Sequence, residues 1–166
     1  MNLAKISQQK LAEELHAAFI TSGKTLGLAE SCTGGALAAT ITAIEGASKF
    51  FAGSLVVYSN EWKESFVGVS QETIRAHEAA SLAVVKEMVD GLFERTHVDF
   101  AAAVSGNIGN GSGLVFVAIG LRGELIDAGM LRNVPPDRKE AIDFVVTTIL
   151  AALLKRLVHN KKTFSS

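Results

Sequence analysis

The sequence predicts an α/β protein, a single domain of three α/β/α layers built on a mixed sheet. Three observations carry that expectation. Strand-length apolar runs alternate with helical-period segments through the first two thirds of the chain; two further apolar runs meet through Arg122-Gly123 with the spacing of an antiparallel hairpin; and a long amphipathic helix comes last. Alternation favours parallel strands with helices on both faces, and the hairpin adds antiparallel ones.

Leu11, Leu15, Ala18 and Phe19 recur at helical spacing over Ile6 to Phe19, and Ser22-Gly23 ends that helix. Thr25 to Ala29 is apolar and of strand length, and Thr33-Gly34-Gly35 leads into an alanine-rich helix over Ala36 to Ile44. Ser54 to Tyr58 has the β-branched and aromatic character of a strand; Asn60 to Phe66 then alternates charged and apolar residues at helical spacing. Ser70 to His77 is a short helix, and Ser81 caps a longer one with Leu82, Val85, Val89 and Leu92 on one face. Phe100 to Val104 is a buried strand, ending at Ser105 and a flexible loop over Gly106 to Gly113. Leu114 to Gly120 and Leu125 to Leu131 form the hairpin. Pro135-Pro136 opens the last helix, where Ile142, Val145, Val146, Ile149, Leu153 and Leu157 make the apolar stripe.

At 166 residues, with 48% hydrophobic and 20% charged, the chain fits one compact domain over residues 1–166 and leaves no room for two. Sixteen basic against 17 acidic residues lack the footprint of a general nucleic-acid binder, so no nucleic-acid partner is expected and a small molecule or protein is. The one cysteine, Cys32, has no partner for an internal disulfide, and Lys5, Gln8, Gln9, Lys10 and Glu13 interrupt any secretory pattern at the start. Phe144 to Leu154 contains Thr147 and Thr148 and falls short of the roughly 20 apolar residues a bilayer span requires. A cytoplasmic protein outside the membrane is therefore expected.

In such folds ligands bind at the carboxyl ends of strands. Three strands end in polar or glycine-rich turns, at Glu30 to Gly35, Tyr58 to Lys63 and Ser105 to Gly113, and these converge if the strands are parallel neighbours. In the first, Ser31 sits between a buried strand and a helix N-terminus, whose free N–H groups suit an anion or a developing oxyanion. Ser31, Cys32 and Thr33 are candidate nucleophiles there, although spacing alone favours a helix cap for Ser31 or Thr33. Of the histidines, His16 and His97 fall within or at the ends of amphipathic helices and His159 in the tail, which leaves His77 as the one candidate base of that type. Lys63, one helical turn past Tyr58-Ser59-Asn60, suits a base better, because a desolvated lysine can shed its charge. Spacing alone makes it a surface lysine paired with Glu61 or Glu64.

The Gly106 to Gly113 loop has no dinucleotide fingerprint, and an ordinary Asn-Gly turn explains it equally well. Ser22-Gly23-Lys24-Thr25 lacks the first glycine of a phosphate loop, since Ala18 stands there. No cysteine and histidine cluster has metal-ligand spacing, so no metal site is expected. Asn110-Gly111-Ser112 matches a glycosylation acceptor on paper only.

Ala29-Glu30-Ser31-Cys32-Thr33-Gly34-Gly35, Gly46-Ala47-Ser48, Tyr58-Ser59-Asn60-Glu61-Trp62-Lys63 and Val67-Gly68-Val69 resemble the CinA C-terminal domain family, which includes bacterial nicotinamide-nucleotide amidases. The resemblance runs from about residue 8 to about residue 158, with Ser105-Gly106 and Asp137-Arg138 at the family's hydroxyl-Gly and Asp-Arg positions, and it matches the stand-alone form. It implies deamidation of nicotinamide mononucleotide to nicotinate mononucleotide and ammonia through a Ser-Lys acyl-enzyme, a step of pyridine nucleotide salvage with no cofactor. Ser31 would be the nucleophile, Lys63 its base and Tyr58 an aid to proton transfer or orientation. Glu30, Thr33, Gly34, Gly35, Asn60, Ser105, Gly106 and Arg138 would contact substrate, Arg138 suiting a phosphate through its planar fork. The family and the apolar hairpin also imply a homo-oligomer. Two departures motivate the alternative, a non-catalytic relative binding a nucleotide or protein partner through the same cleft. The 107–113 loop is shorter than the family's and has no proline, and Glu78 replaces the glycine that tends to follow the histidine.

Overall fold

The computed structural model describes residues 7–109, 113–159 and 164. In chain order the elements are α1 (Gln8–Ser22), β1 (Leu26–Glu30), α2 (Ala36–Thr42), β2 (Phe51–Val56), α3 (Asn60–Val67), α4 (Gln71–His77), α5 (Leu82–Arg95), β3 (Phe100–Asn107), β4 (Leu114–Leu121), β5 (Asp127–Leu131) and α6 (Arg138–His159). The strands make one sheet in the order β2-β1-β3-β4-β5. β1 lies parallel to both β2 and β3, and β3, β4 and β5 run antiparallel in turn. The sheet is thus mixed, and the hairpin is β4–β5.

Side-chain alternation along the strands divides the core. Leu26, Leu28, Phe100, Ala102 and Val104 face one layer, where Leu11, Leu15 and Phe19 of α1, Leu37 and Ile41 of α2 and Ile149 and Leu153 of α6 pack on them. Phe19 anchors that layer, stacked on Phe50 at 4.8 Å and edge-on to Phe100 at 5.7 Å between ring centroids. Ala29, Ala101, Ala103 and Ala118 face the other way, toward Val67 of α3, Ile74 of α4 and Val84, Val85, Met88 and Val89 of α5. The small residues of this second face let α5 sit close on the sheet. Helices cover both faces, giving the three layers.

The local signals that start these helices are polar side chains. Ser7, Ser59, Ser70 and Ser81 accept from Lys10 N, Trp62 N, Thr73 N and Val84 N, which caps α1, α3, α4 and α5. The Asp137 carboxylate accepts from Glu140 N at 2.9 Å and opens α6.

Several boundaries differ from those the sequence predicts: β1 and α2 by one or two residues, β5 begins at Asp127 rather than Leu125, and α6 begins at Arg138, two residues past Pro136; the two that bear on the strand ends are those of β2 and β3. β2 spans Phe51–Val56 rather than Ser54 to Tyr58, because Phe51 already pairs with Leu26, and Tyr58 stands beyond the last rung, Glu30 with Val56. β3 does not end at Ser105: Ser105, Gly106 and Asn107 pair with Phe116, Val115 and Leu114 of β4, which carries the strand past the end of β1. Ser105 and Gly106 therefore sit on a rigid strand. The rest of that loop is described only at Ile108, Gly109 and Gly113; Asn110-Gly111-Ser112 lies outside the described residues. Among the described residues no helix is long and apolar enough to cross a membrane.

Candidate active site

Because β2, β1 and β3 are parallel neighbours, their carboxyl ends lie side by side, and the three polar turns meet there. They enclose a cleft of about 360 Å³. Ser31 and Cys32 line it from the end of β1, Tyr58, Asn60 and Lys63 from the β2–α3 junction, Ser105 and Gly106 from β3, and Arg138 from the start of α6.

The turn after β1 is held by its own glutamate. Glu30 is fully buried, and its Oε2 accepts from Thr33 Oγ1 at 2.7 Å, Gly35 N at 3.1 Å and Leu37 N at 3.1 Å. Its Oε1 accepts from Ala38 N at 2.9 Å and Ser54 Oγ at 3.0 Å. An internal carboxylate thus takes the N–H groups at the start of α2. Two glycines make the loop possible, Gly34 at φ 59° and Gly35 at φ 98°, both in the left-handed region.

This corrects the expectation that those helix donors are free for a ligand. The Ser31 N–H donates to Val104 O, that of Gly34 to Ser31 O and that of Ala36 to Thr33 O. Glu30 and Thr33, expected to contact substrate, are bonded to each other beneath the turn and line no part of the cleft, and Gly34 and Gly35 do not line it either. Their work is to shape the backbone that presents Ser31.

Ser31 Oγ meets Lys63 Nζ at 3.0 Å. Lys63 projects from the first turn and a half of α3 into the layer under the cleft, where it is only 2% exposed. It pairs with neither Glu61 nor Glu64, and among the described residues it makes no ion pair. Burial pushes its pKa below the ordinary lysine value, because water no longer stabilises the ammonium. Its other bond runs to the Tyr58 backbone oxygen at 3.4 Å.

Tyr58 itself is placed otherwise than expected. Its ring is 60% exposed and its hydroxyl accepts from Arg138 Nη2 at 2.8 Å, so its backbone carbonyl, not its phenol, meets Lys63. Arg138 also donates through Nη1 to Ile108 O at 3.0 Å. The guanidinium therefore bridges the two lips of the cleft using neutral acceptors, which leaves its positive charge facing the opening. Asn60 lines the same opening from the first residue of α3.

On the β3 side Gly106 permits close strand contact: an added Cβ would lie 2.5 Å from Leu114 O. Ser105 Oγ donates to Ala79 O at 2.8 Å. Ala79 and Ala80 line the cleft, and sequence reasoning missed them because they contribute backbone, with no side-chain chemistry to announce it. Glu78 just before them has φ 66° and is exposed without lining the cleft. That positive φ favours glycine, the residue that the resemblance leads one to expect here. None of the four histidines lines the cleft, and no cluster of potential metal ligands occurs among the described residues.

Cys32 also lines the cleft, although it is only 4% exposed. Burial raises its thiol pKa to about 11, outweighing its own backbone N–H and the positive charges of Lys63 and Arg138. At neutral pH it is a protonated thiol beside the Ser31–Lys63 pair, and a poor nucleophile.

Comparison with known proteins places these features in a family. The model of the CinA C-terminal domain matches residues 8–157. A CinA-like protein of Shewanella pealeana is 34% identical over 156 residues, covering 90% of this chain and 36% of that protein. Another from Shewanella piezotolerans is 46% identical over 103 residues, covering 62% of this chain and 24% of that one. The chain spans about a quarter to a third of the length of the curated relatives it matches. Among solved structures, the competence damage-inducible protein A of Klebsiella pneumoniae superposes with a TM-score of 0.88 at 32% identity, over 94% of this chain and 100% of that one. The competence/damage inducible protein CihA of Agrobacterium tumefaciens gives 0.85 at 31% identity, over 93% and 96%.

Proposed function

The chain belongs to the CinA C-terminal domain family, and from that premise we propose that it is an amidohydrolase converting nicotinamide mononucleotide to nicotinate mononucleotide and ammonia. The observation that carries this reading is the buried lysine, without a counter-ion among the described residues, 3.0 Å from a serine hydroxyl at the edge of an open cleft. Burial favours the neutral form of that lysine, which can accept a proton, and serine needs such an acceptor to attack an amide.

The steps follow from the positions of the groups. Neutral Lys63 takes the Ser31 proton as Oγ bonds to the carboxamide carbon. The carbonyl oxygen becomes an oxyanion beside Cys32, the residue that follows the nucleophile and lines the cleft with its backbone N–H at the same strand end. Collapse breaks the carbon–nitrogen bond while Lys63 returns the proton to nitrogen, so ammonia leaves and a Ser31 ester remains. Water attacks that ester with Lys63 again as base, releasing the acid and restoring Ser31. Arg138 at the mouth suits the phosphate of a mononucleotide, with Tyr58 holding the guanidinium in place. The α2 N-terminus is closed to that phosphate, because Glu30 already fills it.

Ammonia release from nicotinamide mononucleotide, measured for the protein and its Ser31→Ala variant side by side, tests the reading. Release that falls by at least about 10³-fold in the variant supports it. No release from either protein contradicts it and leaves the cleft as a binding site.

A further inference from the structure

We propose that Ser105 makes this cleft selective for an uncharged carboxamide over the carboxylate that hydrolysis leaves behind, an inference that rests on the amidase reading. The sheet register sets the two serines next to each other. Glu30 pairs with Val104 across β1 and β3, and Ser31 N donates to Val104 O at 3.0 Å, so one step further Ser31 and Ser105 stand on adjacent chains about 5 Å apart. Both side chains turn to the same layer: Ser31 meets Lys63 of α3, and Ser105 meets Ala79 in the α4–α5 connection. A carbonyl carbon within reach of Ser31 Oγ therefore brings its substituents within reach of Ser105 Oγ.

What Ser105 offers there is fixed by its other bond. Its partner at 2.8 Å is the carbonyl oxygen of Ala79, which has no proton to give, so the single hydroxyl proton of Ser105 is committed to it. The side chain is only 2% exposed and its strand is paired on both sides, so the backbone that carries the hydroxyl is fixed and the bond to Ala79 O sets where its proton points. Toward the cleft it presents lone pairs only. A carboxamide answers an acceptor with two N–H donors, whereas an ionised carboxylate has acceptors alone. The acid would set a charged oxygen against the lone pairs of Ser105. Sites that hydrogen-bond a substrate N–H discriminate strongly against analogues lacking it, because the buried partner is left unpaired. The same repulsion hastens departure of the acid once the Ser31 ester is hydrolysed.

The test separates binding from turnover. Nicotinamide mononucleotide and nicotinate mononucleotide are titrated calorimetrically into Ser31→Ala protein, and into the same protein also carrying Ser105→Ala or Ser105→Thr, each checked by thermal unfolding. The Ser31→Ala protein should bind the amide at least about tenfold more tightly than the acid. Ser105→Ala should bring that ratio toward one by weakening the amide and strengthening the acid, and Ser105→Thr, which keeps the hydroxyl, should retain it. A ratio unmoved by Ser105→Ala in folded protein overturns the role of Ser105, as does equal binding of the two ligands to the Ser31→Ala protein; ammonia release by the unmodified protein would still stand. Binding of neither ligand, with no ammonia released, overturns the amidase reading and this inference with it.

Discussion

Glu30 and Ser31, neighbours in the chain, leave the end of β1 in opposite directions: the carboxylate of Glu30 enters the start of α2, and the hydroxyl of Ser31 meets Lys63 of α3 on the other face of the sheet. One strand end thus joins the two helical layers. The charged residue of the pair is structural and fully bonded, and the neutral one faces the cleft.

Glu30→Gln keeps the shape of the side chain but replaces one carboxylate oxygen by an amide nitrogen that faces N–H and O–H donors. The variant should lose about 3 kcal/mol of stability, the scale for bonds to a buried charge left mismatched. Urea denaturation followed by circular dichroism reads this directly, and a loss under about 1 kcal/mol would mean that the carboxylate does not hold the turn.

Lys63→Met should abolish amide hydrolysis yet raise stability. Burial lowers the Lys63 pKa in the folded protein below the ordinary 10.5, so the unfolded chain binds the proton more tightly. The cost of the buried ammonium is full below the folded pKa, and the protein recovers stability as pH rises from that value toward 10.5. The gain from Lys63→Met should therefore be greatest at low pH and shrink as pH rises. A gain that grows with pH over this range would contradict a buried, destabilised cation. Hydrolysis by the unmodified protein should likewise rise with pH as Lys63 loses its proton.

Cys32 should resist alkylation. With its pKa raised to about 11 by burial, almost none of the thiol ionises near pH 8. Iodoacetamide at that pH should label urea-unfolded protein at least ten times faster than native protein, measured by intact mass. Equal rates would show an accessible thiolate in the cleft.

Arg138→Ala should raise KM for nicotinamide mononucleotide about tenfold or more with little effect on kcat if, as proposed, the guanidinium at the mouth holds the phosphate and not the carboxamide. Tyr58→Phe should have a smaller effect in the same direction, since it removes one of two bonds that orient Arg138. A collapse of kcat in Tyr58→Phe with KM unchanged would restore the phenol to proton transfer.

The alternation of strands and helices, the hairpin and the Ser81 cap were legible because each is written in local pattern. So were Ser31 and Lys63, whose strand-end positions made their meeting a matter of strand order. The role of Glu30 was not, because five of its donors come together only when α2 and β2 pack around it. The extension of β3 through Asn107 depended on a partner strand, since Ser105-Gly106-Asn107 carries no strand signal of its own. The acceptors at Ala79 O and Ile108 O were invisible for a simpler reason: every residue has a backbone carbonyl, and folding alone selects which ones face a site.

The Ser31–Lys63 acyl-enzyme is tested most directly by the mass of the covalent intermediate. Protein mixed with nicotinamide mononucleotide is quenched in acid within a turnover and digested, and the peptides are weighed. A nicotinate mononucleotide ester should appear on Ser31 and be absent from Ser31→Ala. Adduct on Cys32 instead, or steady ammonia release with no adduct at any quench time or pH, would contradict a Ser31–Lys63 acyl-enzyme.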